Sequence, residues 1–462
     1  MIEPLRSIRR SRAFLLVAAA CFVVVANANA QTVATPAASA DGLISVLAPS
    51  ARVSLMSMAL QSTGKKKKAD PVFTWKDHPT LHLGPVELIF RARLQAITRS
   101  SDASIADESE STADIARKRV GIEGTVAKAV EFQVERELGD DEDPWRDVFV
   151  NYSQFAPVQV QFGKFKMPFS LDENTGATSL DFVYRSLMAS TLAPGRDKGY
   201  MVHGRIGGRH LQYQLGRFQH DGRNAKSKNP ARVYGNDTVA GRVVSAPFRS
   251  SKSVAREFEV GMAWTSGDLS GEGLSGIRGQ TVFGESFFSN SFPVVGRRKR
   301  LGFETRWQPG PASIQAEFSR VTDERLGQSV EDGDLAPLRG RGWYVSGTVA
   351  VTGEKKANGL DATKHPIFRG GIGAIELAAR LEKITFDSTA APNGSDPSTS
   401  PRAEIILGNS DRVLTLGANW YANRWVKVQF NLLKETLSDP SQGPLPAQPS
   451  FWSRVLKVQF TL

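Results

Sequence analysis

The stretch VKVQFNL, residues 426–432, places an apolar side chain at every second position, with Lys, Gln or Asn between them. Nearly the same two-residue period occurs in VELIFRARLQ (residues 86–95) and in LKVQFTL (residues 456–462). Because successive side chains of a β-strand point to opposite faces, each stretch predicts a strand with one apolar and one polar face. Such strands fit a β-sandwich or a β-barrel, and these two folds differ in which face meets water.

The links between the strands favour the barrel. The alternation predicts sixteen strands, at 82–97, 115–126, 130–138, 145–153, 157–165, 199–206, 210–218, 238–246, 257–265, 299–307, 312–321, 341–352, 371–382, 411–421, 424–433 and 451–462. Short links such as 127–129 and 308–311 alternate with long ones such as 98–114 and 166–198. An outer-membrane barrel has short periplasmic turns and long external loops, whereas a sandwich has no reason for this rhythm.

We therefore predict an all-β fold, a 16-stranded antiparallel transmembrane β-barrel over residues 81–462. The link at 353–370 is an exception, because it is long where a short periplasmic turn is due.

The first thirty residues have the order of a secretory signal peptide. Arginines between Arg6 and Arg12 precede an apolar run at 13–26, and Ala28-Asn-Ala30 supplies a small-residue cleavage site. This order predicts export with cleavage after Ala30. An uncleaved anchor is the alternative, but the run is short for spanning a bilayer. Residues 31–80, which contain the lysine run 65–68, are interpreted as a periplasmic leader or linker.

Composition excludes several classes of protein. The only cysteine, Cys21, lies in the predicted signal peptide, so the mature chain is expected to form neither a disulfide nor a thiolate metal site. No later run of about 18 apolar residues occurs, which excludes a helical membrane protein. The formal charge of +11 includes +3 from residues 1–30, which leaves +8 for the mature chain. A secreted soluble β-protein and an outer-membrane barrel both stay open on these grounds.

Motifs for catalysis or cofactor binding are absent or weak. The chain contains no GxSxG, HExxH or P-loop sequence, and its six histidines lack metal-ligand spacing. GEGLSG at 271–276 fits the GxGxxG pattern but lies in a Gly/Ser-rich loop without a helical continuation. The sequence predicts no enzyme activity, no cofactor, no metal and no nucleic-acid partner. The alternative of an outer-membrane barrel with enzyme activity would require a nucleophile and a base on the outer rim, and the six histidines supply no such arrangement.

Several blocks of sequence resemble the phosphate-selective porin O and P family. They are FGKFKMPFSL (162–171) with YRSL (184–187) and LAPGR (192–196), RKRLGFE (298–304) with the following GP (310–311), GAIELAAR (373–380) and LGANWY (416–421). The resemblance extends from about residue 72 to the end of the chain. It implies a trimeric 16-stranded outer-membrane barrel, in contact with lipid, whose third external loop folds inward and whose lumen arginines and lysines select anions. Leu462 departs from the pattern, since such barrels usually end in an aromatic residue.

If the apolar face meets lipid, the polar face lines water. Inward basic candidates are then Arg91, Arg93, Arg205, Arg306, Arg380 and Lys427, together with Arg117, Arg119, His203, Arg300 and Lys457. Glutamates at similar positions are about as numerous, so each arginine has a lumen salt bridge as its alternative role. Anion preference therefore depends on where the basic residues cluster.

The loop at 166–198 is the better candidate for selectivity. Its basic residues Lys164, Lys166, Arg185, Arg196 and Lys198 outnumber its acids, Asp172, Glu173, Asp181 and Asp197. Some of these residues would instead fasten the loop to the barrel wall. We predict a porin for passive diffusion of small anions, inorganic phosphate or related oxyanions, through a pore narrowed by this basic loop. A general porin with no selectivity or a different one is the alternative.

Overall fold

The computed structural model describes residues 72–75, 78–103, 112–141, 143–222, 238–269, 276–288, 294–329, 331–356, 360, 365–389, 406–445 and 448–462. The predicted signal peptide, most of the segment 31–80 and nearly all of the GxGxxG match at 271–276 lie outside these residues.

Sixteen long strands follow one another along the described chain. They are β1 (Val86–Ser101), β2 (Thr112–Val126), β3 (Val130–Glu137), β4 (Trp145–Phe155), β5 (Val158–Lys166), β6 (Arg196–Ile206), β7 (Leu211–Phe218), β8 (Thr238–Ser245), β9 (Phe258–Asp268), β10 (Arg297–Trp307), β11 (Ala312–Arg325), β12 (Leu335–Ala350), β13 (Ala374–Phe386), β14 (Asn409–Tyr421), β15 (Val426–Leu437) and β16 (Ser450–Thr461). Each strand is antiparallel to its neighbours in the sheet.

The barrel closes where β16 pairs with β1. In this seam Gln459 lies opposite Gln95, whose Nε2 donates a hydrogen bond to Gln459 Oε1 (2.6 Å). Ala92 and Leu462 exchange two backbone hydrogen bonds of 3.0 and 2.8 Å. Closure removes the unpaired strand edges that hydrocarbon cannot satisfy. The prediction of a 16-stranded antiparallel barrel is confirmed.

The two-residue period places apolar side chains on the outer surface. Phe430 and Leu456 are each 43% exposed, whereas the alternating Gln429 and Lys457 are fully buried. This distribution reverses that of a soluble protein and is the one expected when the outer surface meets lipid and the inner surface is polar.

A short hairpin precedes the barrel and extends its seam. The strand Pro79–Leu83 pairs with the first residues of β1, beyond the point where β16 ends, and the strand Phe73–Trp75 pairs with Pro79–Leu83. The turn between Leu83 and Val86 contains Gly84 with a φ of +60°. That left-handed backbone, followed by Pro85, breaks the single strand expected at 82–97 into two. The last residues of the segment 31–80 are thus part of the sheet.

Long and short links alternate between the strands. The link 167–195 between β5 and β6 is the third on the long-loop side and contains two short helices, α1 (Leu171–Asn174) and α2 (Leu187–Leu192). On the opposite side five links have two to four residues, while 246–257 and 351–373 are much longer. No helix in the described part of the chain is long and apolar enough to cross a membrane.

Candidate functional site

The link 167–195, called the inner loop below, lies inside the barrel against β10–β16. Two wall carboxylates accept its backbone N–H groups: Glu317 from Leu171 and Asp172 (2.8 and 2.7 Å), and Glu382 from Leu187 (2.6 Å). These contacts join residues that are far apart in the sequence. They satisfy N–H groups at the start of α1 and α2, where a helix has no internal acceptors.

Apolar packing holds the same half of the inner loop. Met188 and Leu192 of α2 are buried in a cluster with residues of β11–β16, and α2 contacts β11, β12 and β13. Gly340 and Gly342 of β12 leave room for it, because a Cβ atom on Gly342 would lie 3.0 Å from the Met188 Cβ. The inner loop therefore covers one half of the lumen.

A cavity of about 930 Å³ remains between the inner loop and the wall formed by β1–β7. We call it the upper cavity. Its charged lining consists of eight basic residues, Arg93, Arg117, Lys118, Arg119, Arg146, Lys166, Arg185 and Arg196, and seven acidic ones, Asp114, Glu135, Glu137, Asp140, Asp141, Asp147 and Glu173. Its charge is thus nearly balanced, as the sequence indicated for the barrel wall.

Most arginines of the upper cavity hold carboxylates. Arg119 bridges Glu135 (3.0 Å) and Glu137 (2.6 Å), and Arg196 pairs with Asp147 (2.7 Å). Arg93 is 3.5 Å from Glu135, which it shares with Arg119. Such pairs fix the wall and leave little net charge for a passing ion.

Lys457 of β16 has a different environment. Its side chain is fully buried, and its Nζ makes no hydrogen bond to any described residue. The charged groups that act on it most strongly are the cations Lys427, Arg117, Arg185 and Arg93. We call these five residues the cationic cluster. A buried charge without a partner is unfavourable, and an anion beside it would offset that cost.

Arg117 of the cluster likewise forms no salt bridge with a described residue, although the charge of Glu137 acts on it. Its guanidinium donates to Gln95 Oε1 (2.9 Å). Arg185 also belongs to the inner loop, where it lies 3.3 Å from Glu173. Arg93, Arg117 and Arg185 also line the upper cavity, whereas Lys427 and Lys457 are buried.

Several predicted site residues fasten the inner loop. Lys166 donates to the carbonyls of Glu173 and Thr175 (2.5 and 3.0 Å), and Arg185 donates to the Thr175 carbonyl (2.7 Å). From the wall, Arg380 donates to the Tyr184 carbonyl (3.1 Å) and pairs with Glu382 (2.8 Å). Lys427 donates to the Leu180 carbonyl (2.7 Å).

The other predicted residues lie elsewhere. Arg91 is paired with Glu123 (2.5 Å) on the wall. Lys164 and Lys198 face each other in register and share the outward side of the sheet with Phe162 and Tyr200. Lys164 pairs with Asp143, Lys198 is exposed, and neither lines the upper cavity.

A second cavity of about 630 Å³, the lower cavity, lies at the short-turn end and contains Arg205 and Arg306. Its eight basic residues are Arg205, Arg209, Arg249, Lys252, Arg256, Arg306, Lys355 and Lys356, against two acidic ones, Glu257 and Glu259. Sequence reasoning missed most of these residues because they lie in turns, where strand alternation gives no direction. Only their local density, as in RSSKSVARE at 249–257, signals them.

No group of three or more His, Cys, Asp or Glu side chains that would hold a metal occurs within the described ranges.

A closed 16-stranded barrel with an apolar belt, a loop folded into its lumen and two charged cavities defines an outer-membrane porin. The sequence profile of the phosphate-selective porin O and P family matches residues 91–460, and this chain belongs to that family. The resemblance drawn from the sequence blocks is confirmed.

Individual relatives agree with this assignment. The chain is 25% identical over 368 residues to Porin O of Pseudomonas aeruginosa, which covers 70% of this chain and 77% of that protein. Its fold is similar to an anion-selective porin from Comamonas acidovorans, with a TM-score of 0.51, 10% identity, and coverage of 82% of this chain and 100% of the other. It is also similar to a loop-deletion mutant of OmpT from Vibrio cholerae, with a TM-score of 0.50, 12% identity and the same coverages.

Proposed function

We propose that this porin passes small anions by passive diffusion, with oxyanions such as inorganic phosphate as its preferred solutes. The observation that carries the proposal is the fully buried Lys457, whose Nζ has no hydrogen-bond partner among the described residues and on which the cations of the cluster act most strongly. A cation-selective pore would place carboxylates at such a position.

The chemistry of the cluster suits an oxyanion. Arg117, whose guanidinium donates to the neutral Gln95, presents planar donors that match phosphate oxygens, and Lys457 adds an ammonium donor. Arg93 and Arg185 add positive charge but already face Glu135 and Glu173. The excess of basic residues in the lower cavity extends favourable potential toward the short-turn end. Because the two basic regions are separate, an anion would exchange between weak sites, which permits release as well as entry.

Relatives support the proposal by analogy. The family is described as phosphate-selective, and the porin from Comamonas acidovorans is described as anion-selective.

Planar-bilayer recording tests anion preference. In a KCl gradient the reversal potential is expected to report chloride as the more permeant ion, and a clear preference for potassium would refute the proposal. Adding millimolar phosphate is expected to block chloride current. An unchanged chloride current would refute the phosphate preference and leave a general anion porin.

A general porin without strong selectivity is the second candidate. The balance of eight basic and seven acidic residues around the upper cavity favours it. It predicts a reversal potential near zero and conductance that follows the bulk mobility of each ion.

Export and assembly complete the proposal. Cleavage after Ala30 predicts that the protein purified from outer membranes begins at Gln31, which N-terminal sequencing would check. By analogy with the family we propose a homotrimer. Chemical crosslinking in detergent would yield trimers if this is right and monomers if it is wrong.

A further inference from the structure

The link 351–373 is long on the side where most links have two to four residues. Its first residues carry the chain to Lys356, whose side chain is only 1% exposed. The Lys356 backbone N–H donates to the carbonyl of Gly310 in the neighbouring short turn (2.7 Å). The link therefore inserts a lysine into the barrel interior from the short-turn end.

The Lys356 ammonium lies between two buried carboxylates. It donates to Asp181 Oδ1 (2.5 Å) and to Glu376 Oε1. Glu376 belongs to β13 and is itself held by Asn419 and Tyr421, both 2.9 Å from its second oxygen. Asp181 belongs to the inner loop and is 10% exposed. Lys356 thus ties the loop to a fixed point on the wall.

Neutral contacts hold the same part of the loop. The Asp181 carbonyl accepts hydrogen bonds from Asn419 (2.8 Å) and Gln429 (3.2 Å). These contacts bind the backbone, whereas the single positive charge of Lys356 lies between two carboxylates and offsets the repulsion between them. Without a cation there, the Asp181 carboxylate is more favourably placed in water, away from Glu376.

We propose that Lys356 is a positioning residue, which fixes the inner loop through Asp181 and so sets the width of the pore from the short-turn end. This inference rests on the proposed function in one respect, since it assumes that ions pass between the inner loop and the barrel wall. It also gives the long link at 351–373 a physical role that a short turn would not fulfil.

Single-channel recording of Lys356→Met tests the proposal, with Lys355→Met as the matched control. Lys355 is the adjacent, exposed lysine and lines the same lower cavity, so its replacement removes the same charge without breaking the contact. Lys356→Met is expected to lose the steady open level and to flicker between conductance levels as the loop moves. Lys355→Met is expected to stay free of flicker, whatever the loss of a lower-cavity charge does to the size of its conductance. Equal, steady records from both variants would overturn the proposal.

A double variant distinguishes the loss of loop positioning from a general disruption of the barrel structure. In Lys356→Met with Asp181→Asn the repulsion from Glu376 is gone, and the amide of Asn is able to donate to that carboxylate. The steady level is therefore expected to return. Flicker that persists in the double variant would refute the role of Asp181.

Folding and ion preference are read separately. Heat-modifiable migration on a denaturing gel shows whether each variant forms the barrel. Should Lys356→Met fail this check, Asp181→Ala alone tests the contact, because it removes the side-chain acceptor through which Lys356 holds the loop; steady conductance identical to wild type would then contradict the proposal. The reversal potential tests the proposed function and does not depend on flicker, so either proposal is able to fail without the other.

Discussion

Replacing Lys457 by Met removes one positive charge from the cationic cluster and keeps a flexible side chain of similar length. Because the Lys457 Nζ has no hydrogen-bond partner among the described residues, the substitution leaves no carboxylate without its partner. Relief of repulsion among the remaining cations offsets the lost packing of the ammonium group. We therefore expect a folded barrel whose potential toward anions is reduced.

The expected size of the effect follows from Coulomb's law. Over a separation of about 8 Å, one unit charge contributes about 0.5 kcal/mol at the dielectric constant of water and about 2 kcal/mol at an effective dielectric of about 20. Because about 1.4 kcal/mol corresponds to a factor of ten, anion occupancy should fall about twofold to thirtyfold. Salt reduces the difference, since the screening length is about 10 Å at 0.1 M and about 3 Å at 1 M.

The assay is the anion-to-cation permeability ratio from reversal potentials in a KCl gradient, at low and high salt. Lys434→Met is the control, because Lys434 alternates outward on β15, beside the Trp452 ring. For Lys457→Met the permeability ratio is expected to fall below the wild-type ratio at low salt and to come closer to it at high salt. For Lys434→Met the ratio is expected to equal the wild-type ratio at both salt concentrations. If both variants lower the ratio equally, or neither does, the assignment of selectivity to the cationic cluster is wrong.

Three further predictions concern the wall and the loops. Gly342→Val should push Met188 away from β12, which should lower the free energy of unfolding by about 1–3 kcal/mol and alter the conductance. Gly347→Val is the control, because the nearest atom to its Cβ is 3.8 Å away, and bilayer recording should show wild-type conductance for it. Asp221→Asn should lower the free energy of unfolding by about 3–5 kcal/mol in urea titrations, because Arg298 and Arg300 lose a buried partner; a change below about 1 kcal/mol would contradict this. Burial alone would raise the pKa of Asp221, but the charge of Arg300 and Arg298 and their hydrogen bonds outweigh it and hold the pKa below its usual value. The Asp221 contribution should therefore be complete above about pH 4 and disappear as the pH falls through the lowered pKa, which urea midpoints of wild type and variant at several pH values would check.

The position of the inner loop illustrates where sequence reasoning stopped. The length and basic character of the link 166–198 identified it as a candidate for selectivity. Its sequence does not indicate that Glu317 and Glu382, more than a hundred residues away, accept its N–H groups. Nor does it indicate that Lys166 and Arg185 donate to carbonyls of the loop itself.

Strand alternation predicts on which face of the sheet a side chain lies, but it does not predict which charged groups surround that side chain. It placed Arg119 and Lys457 on the same inner surface. In the structure Arg119 is neutralised by Glu135 and Glu137, whereas the buried Lys457 Nζ has no partner among the described residues. The difference depends on which strands are adjacent and in which register, and these are contacts between distant parts of the chain.

By itself, the sequence determined the sixteen strands, their lipid-facing sides and the alternation of long and short links, because a two-residue period and turn composition are local properties. Tertiary structure decided which charges remain unpaired, how Lys356 reaches Asp181, and why the lower cavity collects basic side chains from separate turns. Electrostatic interactions depend on distance in space, and barrel closure brings together residues from opposite ends of the chain.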